Sequence, residues 1–162
     1  MNLNDLTPAG VSSPAARMPL SQAAVTRFSD TDFSRFSVLA NAYRRRGGLA
    51  SGDEVLRLMR ARVTQPISAL ARWMVSGQAI SFSWQSCVLL PMFQFELSTM
   101  SLRSGPRQVS LELRGVFDDW DLVQWFVEPN SWLHEAAPID LVERDLAAVL
   151  QAARADRFIA RG

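Results

Sequence analysis

The chain has no lysine: all 17 of its basic side chains are arginine. A phosphate-binding loop ending in Gly-Lys-Ser/Thr and a Schiff-base lysine are therefore both excluded. There is one histidine, His134, and one cysteine, Cys87. No two Cys or His stand at metal-ligand spacing, and no intramolecular disulfide can form. A Gly-x-Ser-x-Gly elbow is also missing. Cys87 lies in the apolar run Cys87-Val88-Leu89-Leu90 with no basic neighbour, which predicts a buried, inert thiol. The first residues lack a basic segment followed by an apolar stretch, and no window reaches the ~18 apolar residues of a membrane span. These absences lead to the expectation of a cytoplasmic protein without membrane contact, without a cofactor and without catalytic activity.

What is present suffices for a packed core. Of 162 residues, 48% are hydrophobic and 20% charged, a globular balance. The net charge of +1 hides a division. Up to Arg107 there are 12 arginines against 6 acids, leaving +6; from Gln108 on there are 5 against 10, leaving −5. Such a split points to two surfaces with two partners, or to two faces of one domain. Arginine favours planar, bidentate contacts with phosphates and carboxylates.

The pattern predicts a mainly α protein. Pro8, Pro14 and Pro19 among small polar residues mark 1–24 as a flexible tail. Asp30 or Thr31 can cap a first helix carrying Phe33, Phe36, Ala40 and Tyr43, with Arg44, Arg45 and Arg46 in its last turn and Gly47-Gly48 as its stop. Ser51 and Glu54 form a capping-box pattern ahead of Val55, Leu58 and Met59. Thr64 or Gln65 can cap a third helix that begins at Pro66 and carries Ile67, Leu70, Ala71 and Met74 as its apolar stripe. From Ala79 the period changes to two: Ile80, Phe82 and Trp84 alternate with Ser81, Ser83 and Gln85. A turn at Gln85-Ser86 and a second extended run from Val88 to Phe95 complete a β-hairpin, with Pro91 suggesting an edge strand. After the polar loop Ser101–Gly105 the chain reads as helices. One carries Val109, Leu113 and Val116. The next is capped by Asp118-Asp119 and stopped by Pro129-Asn130, a short one opens at Pro138, and the last is capped by Asp145.

Two capped helices joined by a turn and followed by a hairpin have the order of a helix-turn-helix with a wing, here spanning 25–105. In that plan the third helix enters the major groove and offers Gln65, Ser68 and Arg72 to bases, while Arg57, Arg60 and Arg62 meet phosphates. The alternative is an ordinary helical pair with solvated arginines. In the acidic part, Phe117, Trp120, Trp125, Phe126 and Trp132 crowd together around a helix stop. Such a loop serves either as core or as a protein-binding surface. The acids Asp118, Asp119 and Asp121 read as helix caps rather than as an acid/base pair.

The stretch Trp120-Asp-Leu-Val-Gln-Trp125-Phe-Val-Glu-Pro129-Asn130-Ser-Trp-Leu133, followed by Pro138-Ile-Asp-Leu141, Asp145 to Val149 and Ala152-Ala153-Arg154, resembles the toxin-binding domain of Xre/MbcA/ParS-type antitoxins. The run Leu-Pro-Met-Phe-Gln-Phe-Glu at 90–96 resembles the Phe-Gln-Phe strand that precedes this domain in some members. The resemblance implies a small helical toxin-binding domain over 106–162. It also implies a cognate toxin as partner, of the NAD-consuming RES type, operator DNA as a second partner, and a homodimer or toxin–antitoxin hetero-oligomer. Trp125, Asn130, Trp132 and Leu133 are the expected anchors. Arg154, Arg157 and Arg161 are expected to reach toward the toxin's active site. The family usually has a glycine before the Pro-led helix, where this chain reads His134-Glu135-Ala136-Ala137; a different loop backbone is expected there. A stand-alone helix-turn-helix regulator whose C-terminal half dimerises is the alternative reading.

Overall fold

Ser29, itself in an extended conformation, starts the first helix. Its hydroxyl accepts from the Asp32 amide at 3.2 Å while the Asp32 carboxylate accepts from the Ser29 amide at 3.0 Å. This reciprocal pair satisfies donors that a helix start leaves open. The cap is therefore Ser29, and the expected caps Asp30 and Thr31 are helical residues. The structure, a computed structural model, describes residues 29–162; the tail expected at 1–24 lies outside the described residues. Helix α1 (Asp30–Arg44) ends, as its sequence predicts, in arginines and two glycines with positive φ, Gly47 and Gly48.

Next come β1 (Leu49–Ser51), α2 (Gly52–Met59), α3 (Pro66–Val75), β2 (Phe82–Trp84) and β3 (Cys87–Pro91). The Ser51–Glu54 capping box opens α2 as expected. Gln85 and Ser86 both adopt left-handed φ, which closes the β2–β3 hairpin without an Asn-Gly pair. The sheet, however, has three strands in the order β1-β3-β2. β3 is central, and Pro91, expected on an edge strand, pairs with Leu49 at its end, where a missing N–H costs little. Cys87, expected to be buried, is exposed because it stands beside the turn, beyond the covered part of the strand.

A short 3₁₀ turn (Met92–Gln94) leads to β4 (Phe95–Glu96), which pairs with β5 (Ser101–Leu102) inside the segment expected to be loop. Four helices follow: α4 (Ser104–Leu113), α5 (Asp119–Val127), α6 (Pro138–Leu141) and α7 (Leu146–Arg161). Asp118 caps α5, Pro138 opens α6 and Asp145 caps α7, all as expected. Among the described residues the protein is mainly helical, with a three-stranded antiparallel sheet built on the hairpin and a two-stranded one beside it in sequence.

Two apolar cores meet at the sheet. In β3, Leu89 packs into one and Leu90 into the other, because successive side chains of a strand face opposite sides. Leu49 and Ala50 divide in the same way in β1. That double burial is why the run reads as continuously apolar. The smaller core joins α2, α3, Met92, Phe95 and Met100. The larger gathers α4 to α7 together with Leu39 and Tyr43 of α1 and Phe82 of β2. The buried Tyr43 hydroxyl donates to the Val123 carbonyl of α5 at 2.7 Å. Its burial raises the phenol's pKa above the ordinary value of 10.0. The core division therefore does not follow the expected boundary at 105/106: α1 and β2 complete the hydrophobic interior of the C-terminal helices.

Gln94, fully buried, binds the two layers. Its side-chain oxygen accepts from the Ile80 amide at 2.7 Å, and its nitrogen donates to the carbonyls of Ile80 and Pro91 at 2.8 and 2.9 Å. A buried amide is tolerated there because these bonds satisfy it.

Candidate functional site

The C-terminal site is built around one carboxylate. α5 ends at Val127 and Pro129 prevents its continuation. Asn130 then caps the 3₁₀ turn Ser131–Leu133, its side-chain oxygen accepting from the Trp132 amide at 2.9 Å. The loop folds back through the Asn130 amide to the Ala136 carbonyl, 3.1 Å, by way of His134 and Glu135, both left-handed. The chain thus makes a turn that glycine would favour with two residues that carry side chains. α7 brings Asp156 against this loop. Its Oδ2 accepts from the indole of Trp125 at 2.8 Å and from the Asn130 side-chain amide at 2.7 Å; its Oδ1 accepts from the indole of Trp132 at 3.0 Å.

These three donors give the expected anchors different positions. Trp125 and Asn130 are buried frame residues, and Leu133, 4% exposed, belongs to the larger core. Trp132 stands out at 55% exposure with its indole N–H held from below. Beside Asp156 lies an open groove of about 390 Å³ between Pro129, Asn130 and Ile159. The last turns of α7 expose Phe158 and Ile159. Of the arginines expected to reach outward, Arg157 pairs with Glu112 of α4 at 2.7 Å and Arg154 approaches the same carboxylate at 3.7 Å. Both lie against the protein's own α4, while Arg161 is exposed at the end of the helix. Asp156, the carboxylate that ties this loop together, is not announced by the sequence. Between Ala155 and Arg157 it reads as one more solvated helix charge.

The second surface is carried by α2 and α3, joined by the six residues Arg60–Gln65 rather than by a tight turn. Arg57 and Arg60 are exposed. Arg62 turns back to donate to the Leu58 carbonyl at 2.9 Å, so part of its capacity goes to the end of α2. Gln65 occupies the N-cap position of α3 in a left-handed conformation and makes no side-chain cap. Ser68 and Arg72 are exposed on α3. The expected apolar stripe of α3 is half wrong. Leu70 and Met74 face the smaller core, but Ile67 and Ala71 face solvent, and Ala69 and Trp73 take the inward places. No Asp or Glu occurs from Val55 to Phe95.

Arg114 fixes the far end of α3. Its guanidinium donates to the Val75 carbonyl at 3.1 Å and to that of Ser76, and a cation there suits the helix dipole. Gly77 lets it pass: a Cβ at that position would stand 2.8 Å from Arg114 Cδ. At the start of α5, the Asp118 carboxylate accepts from the Asp121 amide at 2.7 Å and acts as a cap. Partial burial, and then the neighbouring Asp118, raise the pKa of Asp119.

No helix among the described residues is long and apolar enough to cross a membrane. Comparison of the chain with protein-family models, with curated proteins and with solved structures finds no match.

Proposed function

We propose that the chain is an antitoxin of the Xre/MbcA/ParS type: it binds and blocks a cognate toxin through the loop and final helix around Asp156, and it binds operator DNA through α3. The observation that carries the toxin-binding half is the placement of Trp132. A large aromatic side chain is exposed, yet its one polar group is already held by Asp156. An anchor oriented in the free protein loses little conformational entropy on binding, which is how binding hot spots gain affinity. Ile159 and Phe158 extend the apolar surface toward the chain end, and Arg161 lies at its tip. A partner pocket with an apolar wall and an anionic floor fits this surface.

Arg57, Arg60, Ser68 and Arg72 are exposed, within a stretch from Val55 to Phe95 that contains no acid, and exposed arginines suit a phosphate backbone. Repression of the chain's own operon follows if both surfaces work in one molecule.

The test is co-expression of the full chain with the product of the adjacent reading frame, followed by size-exclusion chromatography and a growth assay. A stable complex and restored growth are expected, and both should weaken with Trp132→Ala. Full restoration by a chain ending at Val149 would remove the final helix from the mechanism. Failure to form any complex, with DNA binding intact, would favour a stand-alone regulator.

A further inference from the structure

α3 has two opposed surfaces. At about 100° per residue, Ala69, Leu70, Trp73 and Met74 lie together, and these are the side chains packed into the smaller core. The remaining arc, about 140° wide on the same geometry, holds Ile67, Ser68, Ala71, Arg72 and Val75, all exposed. Ile67 is 68% and Val75 80% exposed. Ile67, Ala71 and Val75 follow one another at four-residue intervals and form an apolar ridge, with Ser68 and Arg72 as a polar row beside it. A solvated helix face ordinarily carries charges of both signs. This face has none that is negative, and neither has the whole stretch from Val55 to Phe95, which includes Arg57, Arg60, Arg62 and Arg72.

The charge selects a polyanion, and the ridge says more about it. On the base edges of the DNA major groove, the one apolar group is the C5-methyl of thymine. We propose that Ile67 and Ala71 are specificity-determining residues that read thymine methyls, while Arg72 reads a guanine beside them. Four helical residues advance about 6 Å, against about 3.4 Å per base pair, so the preferred site carries two thymines about two base pairs apart. The inference rests on the DNA-binding reading above and adds the bases recognised.

The full chain is used to enrich duplexes from a random-sequence DNA pool at low salt. The enriched duplex is then remade with dU in place of each dT in turn, which removes only the methyl group. The expected result is about fourfold weaker binding at one or two positions, the worth of one buried methyl. In Ile67→Ala the penalty at one of these positions disappears, and the others are unchanged. Because Ile67 is exposed, the variant should melt like the parent, and a thermal melt checks this. An enriched duplex without thymine, or one that tolerates dU everywhere, overturns the methyl readout and leaves DNA binding standing. If no duplex is enriched, both ideas fall. A gel-filtration dimer that Ile67→Ser dissociates would then assign the ridge to a second copy of the chain.

Discussion

Asp156 holds the exposed indole of Trp132 through one carboxylate oxygen and the buried Trp125 and Asn130 through the other. The exposed indole and its buried frame thus share one residue, but their replacements should behave differently. Trp132→Ala should leave the melting temperature close to the parent's and weaken partner binding by about 30-fold or more, as loss of a hot-spot aromatic does. Asp156→Ala should weaken binding and also cost about 1–3 kcal/mol of stability, since two buried donors lose their acceptor. Urea unfolding and calorimetric titration separate the two effects. Unfolding by Trp132→Ala would instead make that residue part of the core.

Arg57 and Arg60 are exposed at the end of α2. Replacing both by alanine should weaken DNA binding alike for all sequences and lower the slope of log K against log salt by about 2, one for each phosphate that is no longer neutralised. Fluorescence anisotropy across a salt series measures it. An unchanged slope would assign phosphate binding to other arginines.

Gln94→Met keeps the length of a buried side chain and removes its polarity. The Ile80 amide and the Ile80 and Pro91 carbonyls then lose their partner between the two cores. A loss of about 2 kcal/mol or more is expected from unfolding in urea. A near-neutral result would show that backbone shifts satisfy these groups without Gln94.

Gly77→Ala meets two obstacles, a φ of +70 and the Arg114 side chain. Moving the flexible arginine aside relieves the clash, but at the expense of its bonds to the end of α3. A destabilisation of about 1–2 kcal/mol follows from the left-handed backbone alone. Combining Gly77→Ala with Arg114→Ala should cost less than the sum of the single changes, because both act on the same pair of neighbours.

The Ser51 amide donates to the Glu54 carboxylate at 2.7 Å, and that bond, aided by the Ser51 hydroxyl, holds the acid below its ordinary value of 4.5. A lowered pKa in the folded state means that the stabilisation is complete above about 4.5 and is lost as pH falls through the depressed folded value. Stability measured from pH 6 down to pH 3 should therefore fall less steeply in Glu54→Gln than in the parent. Equal slopes would show that the capping box carries no pH-dependent stability.

The helices themselves were determined by the sequence, because caps and stops act within a few residues. Ser51 with Glu54, Asp118, Pro129, Pro138 and Asp145 each satisfy or deny a backbone group nearby, and each acts where its type predicts. The hairpin was legible for the same reason: its period of two and its turn are local. Tertiary structure decided what depends on residues far apart. Leu49–Ser51 is too short to show a period and becomes a strand only because β3 offers it partners. That pairing makes β3 central and buries both of its faces. Ile67 and Leu70 look alike in a sequence, and only the position of β3 and Met92 decides which one is covered. The Asp156 site shows the same limit. Trp125, Asn130 and Trp132 were visible as an unusual loop, but a carboxylate 24 residues beyond Trp132 carries no local mark of its role. It acquires one when α7 packs on α4 and sets its charge beneath two indoles, a distance that helix packing fixes and local spacing does not.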